Sequence, residues 1–208
     1  SIPKYGAINM HPSFLPEYRG ANPDFWQYYN MEMNPGVTIH YIDEGEDTGD
    51  IIYQERVHIP LGTKSPERLD KLIAEMGVPL MLKAINDIKT GIAPKIPQSK
   101  ESPTPRARNL TEQEHATIIK WSEWPIERIW HILRGTELWL NAYEQPKGIY
   151  KGHRWSVGEF VKAPNTHTPG GLVTYQGKKA IATPEGYIFI SVKFSLKRFL
   201  INILKAKH

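Results

Sequence analysis

Apolar residues recur at Leu69, Leu72, Ile73, Met76, Leu80, Ala84 and Ile88. Steps of three and four put them on one face of a long helix. Ser65-Pro66-Glu67 marks its start, Pro79 predicts a kink, and Gly91 predicts its end. Upstream the pattern changes. Val37–Ile42 and Ile51–Ile59 are rich in β-branched and aromatic residues and read as strands, with Gly6–Met10 as a shorter candidate. Between them, Asn22-Pro23-Asp24 opens a helix that runs to about Met33, where Asn34-Pro35-Gly36 stops it.

Past Gly91 the periodicity vanishes. Residues 92–110 are rich in Pro, Lys, Ser and Arg and read as a linker between domains. Thr111-Glu112-Gln113-Glu114 has the form of a capping box and opens a second domain. A helix from Pro125 buries Ile129, Ile132 and Leu133. Short strand candidates follow at Trp155–Val161, Leu172–Tyr175, Ala180–Ala182 and Tyr187–Val192, a spacing that predicts a small barrel over residues 111–194. Residues 195–208 form a basic amphipathic tail.

The chain has 208 residues and no cysteine, so neither a disulfide framework nor a thiolate nucleophile is available. It shows no apolar run of membrane-spanning length and no signal-peptide pattern, which points to a cytoplasmic protein without a membrane partner. Charge divides unevenly: residues 1–104 hold ten Lys/Arg against fourteen Asp/Glu, and residues 105–208 hold sixteen against eight. The basic second half suits an anionic partner.

Candidate chemistry sits in Asn9-Met10-His11-Pro12-Ser13-Phe14-Leu15-Pro16-Glu17-Tyr18-Arg19-Gly20. Asn9 and His11, two apart on a strand, project to the same face. Pro12 and Pro16 then force the chain into an ordered loop. Asp47 lies 36 residues beyond His11 in the Gly-rich loop before the next strand. An amide donor, a titratable ring and a carboxylate at strand ends suit acyl transfer, and none of them calls for a metal.

The first stretch, followed by Gly36-Val37-Thr38-Ile39-His40 and Asp47-Thr48-Gly49-Asp50-Ile51-Ile52, resembles the 10-formyltetrahydrofolate-dependent formyltransferases. The resemblance implies an α/β fold, with residues 1–91 as the C-terminal half of a Rossmann-like catalytic domain and residues 111–194 as an OB-like barrel. Ile132-Leu133-Arg134-Gly135, Ala142-Tyr143 and Pro169-Gly170-Gly171 carry the looser second match, where Leu138-Trp139-Leu140-Asn141 departs from the family pattern. Asn9, His11 and Asp47 become the catalytic group: Asn9 and a protonated His11 as oxyanion donors, and Asp47 as the group that holds that charge and takes the amine's proton. Tyr41, Ile42, Asp43, Glu44 and Gly45 become the folate-binding loop, and Ser13, Tyr18, Arg19 and Gly20 the acceptor loop. The implied co-substrate is 10-formyltetrahydrofolate. Gly20-Ala21-Asn22-Pro23-Asp24-Phe25-Trp26 favours a nucleotide-linked amino sugar as acceptor; methionyl-tRNA is the alternative, and a truncated binding module without turnover is the reading of another class. In that family most of a parallel sheet precedes this region, so a missing N-terminal segment or self-association over an exposed edge is expected. His40, mid-strand, reads as structural.

Overall fold

The computed structural model describes residues 3–136 and 145–205, in two compact units divided between Asn109 and Leu110. In the first unit, β1 (Ile8–His11), β2 (Gly36–Tyr41) and β3 (Ile51–Arg56) form an antiparallel sheet in that order. Strand alternation separates its two faces. Ile8, Met10, Tyr41 and Tyr53 pack with buried Ile39, Ile52 and Ala84, together with Leu80, Met81 and Ile88 of a helix. The opposite face carries Asn9, His11, Thr38 and His40, so the polar positions are set by the same register that fills the core.

The long helix is continuous but not uniform: α2 (Ser65–Leu69) passes through a π-helical stretch, Asp70–Gly77, into α3 (Val78–Thr90). Pro79 has no N–H to give and its ring crowds the preceding turn, so the backbone widens just before it. Gly77 sits against Met10 Sδ where a Cβ would overlap the sulfur, which lets the helix lie close on β1. Gly91 ends α3 in the left-handed conformation, φ +77°. Helix α1 (Pro23–Tyr29) is shorter than the sequence predicts, because Met31 turns to φ +58° and Glu32 N–H bonds back to the Gln27 carbonyl.

The stretch expected as a linker packs as a strap on the first unit through Asn109. Ile96 bridges to Ile51, Tyr18 N–H donates to Thr104 Oγ1 at 2.7 Å, and Ala107 exchanges backbone bonds with Arg19 and Asn22. Prolines suit an extended segment that needs few donors, so composition alone does not separate a strap from a linker.

In the second unit, Glu114 caps α4 (Glu112–Thr117) by accepting from Thr111 N–H at 2.8 Å. Helix α5 (Ile126–Thr136) buries Ile126, Ile129, Ile132 and Leu133 against β4 (Arg154–Lys162) and β7 (Gly186–Lys193). These strands join β6 (Lys178–Thr183) and β5 (Leu172–Tyr175) in the order β4-β7-β6-β5, all antiparallel. Among the described residues this sheet is open, with β4 and β5 as edges, where a closed OB-like barrel is expected. Closure needs strands long and staggered enough to pair the two edges, and β5 has four residues. Leu138–Asn141 and Ala142-Tyr143 lie outside the described residues. Helix α6 (Leu196–Lys205) realises the amphipathic tail; Asn202 ties it to the carbonyls of Ile149 and Lys151. No described helix is long and apolar enough to cross a membrane.

Candidate active site

Antiparallel pairing places Asn9 directly across from His40, and His11 across from Thr38. A register shift between Ile39 and His40 breaks the β2–β3 ladder at this level, a bulge of the kind that re-aims side chains. The proline-rich loop after β1 folds back over the polar face. Thr38 Oγ1 donates to the Ser13 carbonyl at 2.7 Å and accepts from Leu15 N–H at 3.1 Å, while Gln54 Nε2 donates to the Leu15 carbonyl at 3.0 Å.

Asp47 completes the cluster from the loop between β2 and β3, its backbone held at φ +55°. Its Oδ2 accepts from Gly20 N–H at 2.9 Å and lies 3.6 Å from His11 Nδ1; its Oδ1 lies 3.6 Å from His40 Nε2. His11 is buried, and its Nε2–H donates to the Tyr18 carbonyl at 3.0 Å. A carbonyl can only accept, so Nδ1 is the second protonation site, and a proton there points at the Asp47 carboxylate. Asp47, distant in the chain, is thus brought beside His11 and His40, and His40 in turn lies 3.4 Å from Asn9 Nδ2 on the same face.

The acceptor-loop residues are placed differently. Ser13 is fully buried and donates to the Glu17 carbonyl; Tyr18 is buried, and desolvation raises its phenol pKa. Arg19 is also buried. Its guanidinium donates to Gln98 Oε1 at 2.7 Å, Ser99 O at 2.8 Å and Lys100 O at 3.2 Å. Gln98 in turn donates through Nε2 to the carbonyls of Asp47 at 3.0 Å and Gly49 at 2.6 Å. Arg19 therefore braces the Asp47 loop from behind. Gly20 has φ +125°, and a Cβ there would stand 2.8 Å from the Ala107 carbonyl.

Tyr41–Gly45 begins with Tyr41 N–H on Asp50 O and Ile42 N–H on Ala7 O. Asp43 then accepts from Thr48 Oγ1 at 2.7 Å and Gly45 N–H at 3.0 Å, bonds that hold its pKa below the usual carboxylate value. Ile42 is exposed, and Gly49 lets the loop close on the Tyr41 carbonyl, where a Cβ would overlap it. A cavity of about 300 Å³ opens beside this loop, lined by Tyr41, Asp43, Gly49, Asp50 and Lys95. An aromatic edge, two carboxylates and an ammonium are a donor and acceptor set that fits a flat, polar heterocycle. No cluster of three His, Asp or Glu side chains able to hold a metal occurs among the described residues.

Two participants escape a reading of the sequence, His40 and Gln98. His40 reads as structural from the sequence because nothing in a strand's composition tells which residue it will face.

Residues 1–85 match the family described as Formyl transferase. These residues belong to the formyl transferase family. A methionyl-tRNA formyltransferase of Halothermothrix orenii is 39% identical over 150 residues, 71% of this chain and 45% of that protein. One from Pelotomaculum thermopropionicum is 38% identical over 187 residues, covering 89% of this chain and 57% of the relative. The chain therefore spans about half the length of the curated relatives it matches. Its fold is shared with the N-formyltransferase from Helicobacter canadensis, solved with folinic acid and dTDP-3-aminofucose: TM-score 0.60, 21% identity, 90% of this chain and 66% of that one.

Proposed function

We propose that the protein transfers a formyl group from 10-formyltetrahydrofolate to a primary amine. The convergence of Asn9, His11 and Asp47 on one sheet face, inside a formyl transferase sequence, carries this reading. The amine nitrogen bonds to the formyl carbon, the bond from that carbon to folate N10 breaks, and the amine's proton, taken by Asp47 directly or through a water, is delivered to N10 as it leaves. Asn9 donates to the formyl oxygen as negative charge builds there; His11, expected as a second donor, has its Nε2–H on the Tyr18 carbonyl and its Nδ1 facing Asp47, so once protonated it acts through its charge. The cavity beside Tyr41–Gly45 and Lys95 takes the pterin, with Asp43 already organised as an acceptor. Ser13, Tyr18 and Arg19 shape the acceptor loop from inside it, and Gly20 lends its N–H to Asp47.

The acceptor is a nucleotide-linked amino sugar. Helix α1, which follows Gly20 directly, presents Trp26 packed edge-on against Phe25 and Tyr29, with the Arg108 guanidinium 5.6 Å from a Trp26 ring. An aromatic face beside a cation suits a base and its phosphates. Methionyl-tRNA is the second reading. The named relatives act on that acceptor, and the second unit carries a groove lined by Trp155, Phe189, Lys178 and Lys179. A panel of both acceptors with 10-formyltetrahydrofolate separates the two. Formylated sugar supports the first reading, formylated tRNA the second, and folate binding without turnover a binding module.

A further inference from the structure

His40 is 2% exposed and contacts two members of the catalytic group. Its Nδ1 lies 2.8 Å from the Tyr41 carbonyl. That oxygen only accepts, so Nδ1 carries a hydrogen whatever the charge on the ring. In the neutral ring Nε2 is then a bare lone pair, and the atom facing it is Asn9 Nδ2, 3.4 Å away across the β1–β2 pair. The reverse amide orientation would set Asn9 Oδ1 against that lone pair.

We propose that His40 is a positioning residue that orients the Asn9 amide: Nε2 accepts one Asn9 N–H and leaves the other aimed at the reacting oxygen. The catalytic consequence rests on the formyl-transfer reading; the hydrogen-bond assignment does not. The same geometry gives His40 protonation a defined effect. A proton on Nε2 would confront the Asn9 donor with a second donor and face Asp47 Oδ1, 3.6 Å away, with a new partner. Asn9 would lose its orientation, and Asp47 would be drawn from His11 toward His40. The groups facing the ring are Asp47, Asp43 and His11, whose ring centroid lies 6.4 Å away edge-on. Burial outweighs the two carboxylates and depresses the His40 pKa, which keeps the ring neutral near pH 7.

The test has two arms on the full chain. Long-range ¹H–¹⁵N correlation on histidine-labelled wild-type protein at pH 7.5 reads the tautomer without needing activity. The expected result is a protonated Nδ1 and a bare Nε2 for His40; a protonated Nε2 overturns the proposal. In the kinetic arm His40→Ala lowers kcat about ten- to a hundredfold, less than the ~10²–10³ lost with an oxyanion donor itself. KM for 10-formyltetrahydrofolate stays within about twofold, and His40→Gln, which returns an acceptor near the Nε2 position, recovers most of kcat. An unchanged kcat in His40→Ala, or equal loss in both variants when both are folded, overturns it. Absence of turnover in the wild type would sink the formyl-transfer reading and leave the tautomer result to decide the His40 assignment.

Discussion

Asp47 Oδ2 accepts the backbone N–H of Gly20 at 2.9 Å, joining the loop before β3 to the loop after β1. Two segments that sequence places far apart therefore meet through a single carboxylate. Behind it, Gln98 holds the Asp47 and Gly49 carbonyls, and Arg19 holds Gln98. The carboxylate is positioned from both sides before any ligand arrives, as electrostatic preorganisation requires.

Asn9→Ala and Asp47→Ala are each expected to lower kcat by ~10²–10³ or more. Asn9 is half-buried on a strand whose core contacts come from Ile8 and Met10, so its variant should melt within a few degrees of wild type. Near-normal turnover in either variant, measured at saturating folate, would remove that residue from the catalytic group.

Gly20→Ala should harm both stability and turnover. The φ of +125° strains any L-residue by about 1–3 kcal/mol, and the added methyl meets the Ala107 backbone, which cannot rotate away. Urea denaturation should show a loss of at least this size, and kcat should fall because the Gly20 N–H moves off Asp47.

Arg68 is fully buried, its Nε 3.3 Å from Asp24 Oδ1 and its guanidinium 4.5 Å from the Tyr28 ring. Burial raises the Asp24 pKa against the opposing effect of Arg68. Arg68→Met should lower stability by about 1–3 kcal/mol, because the half-buried Asp24 loses its cation and keeps only the Ser65 hydroxyl as a donor. Pairing it with Asp24→Leu should recover most of that loss, and chemical denaturation of the single and double variants checks the difference.

Acid should weaken the fold through His40. Its pKa is depressed in the folded state, so below the unfolded value of about 6.5 the unfolded chain binds the extra proton more readily. The stability it contributes is complete above that value and is lost as pH falls toward the folded pKa. Melting temperature measured from pH 7.5 to 5 should drop more steeply in wild type than in His40→Ala.

Much of this architecture was legible in the chain. The step of three and four along Leu69–Ile88, the β-branched run Val37–Ile42 and the Asn9–His11 spacing each reflect a local rule, and each element appears. What escaped was non-local. Pro97 and Pro103 look the same in a strap as in a linker, and only the bonds of Gln98 and Thr104 reveal which one it is. Arg19 looks like a substrate ligand until burial shows that its donors are already taken. His40 gains its meaning from the residue across the sheet, which depends on register. The open β4-β7-β6-β5 sheet likewise follows from strand length and stagger, not from the count of strand signals.

The most direct measurement uses 10-formyltetrahydrofolate labelled with ¹³C in the formyl group, incubated with the protein and its amine acceptor. Carbon NMR should show the label arriving as a formamide in wild type, with no detectable transfer in Asp47→Ala. Label released as free formate in wild type, or transfer undiminished without Asp47, would contradict the account.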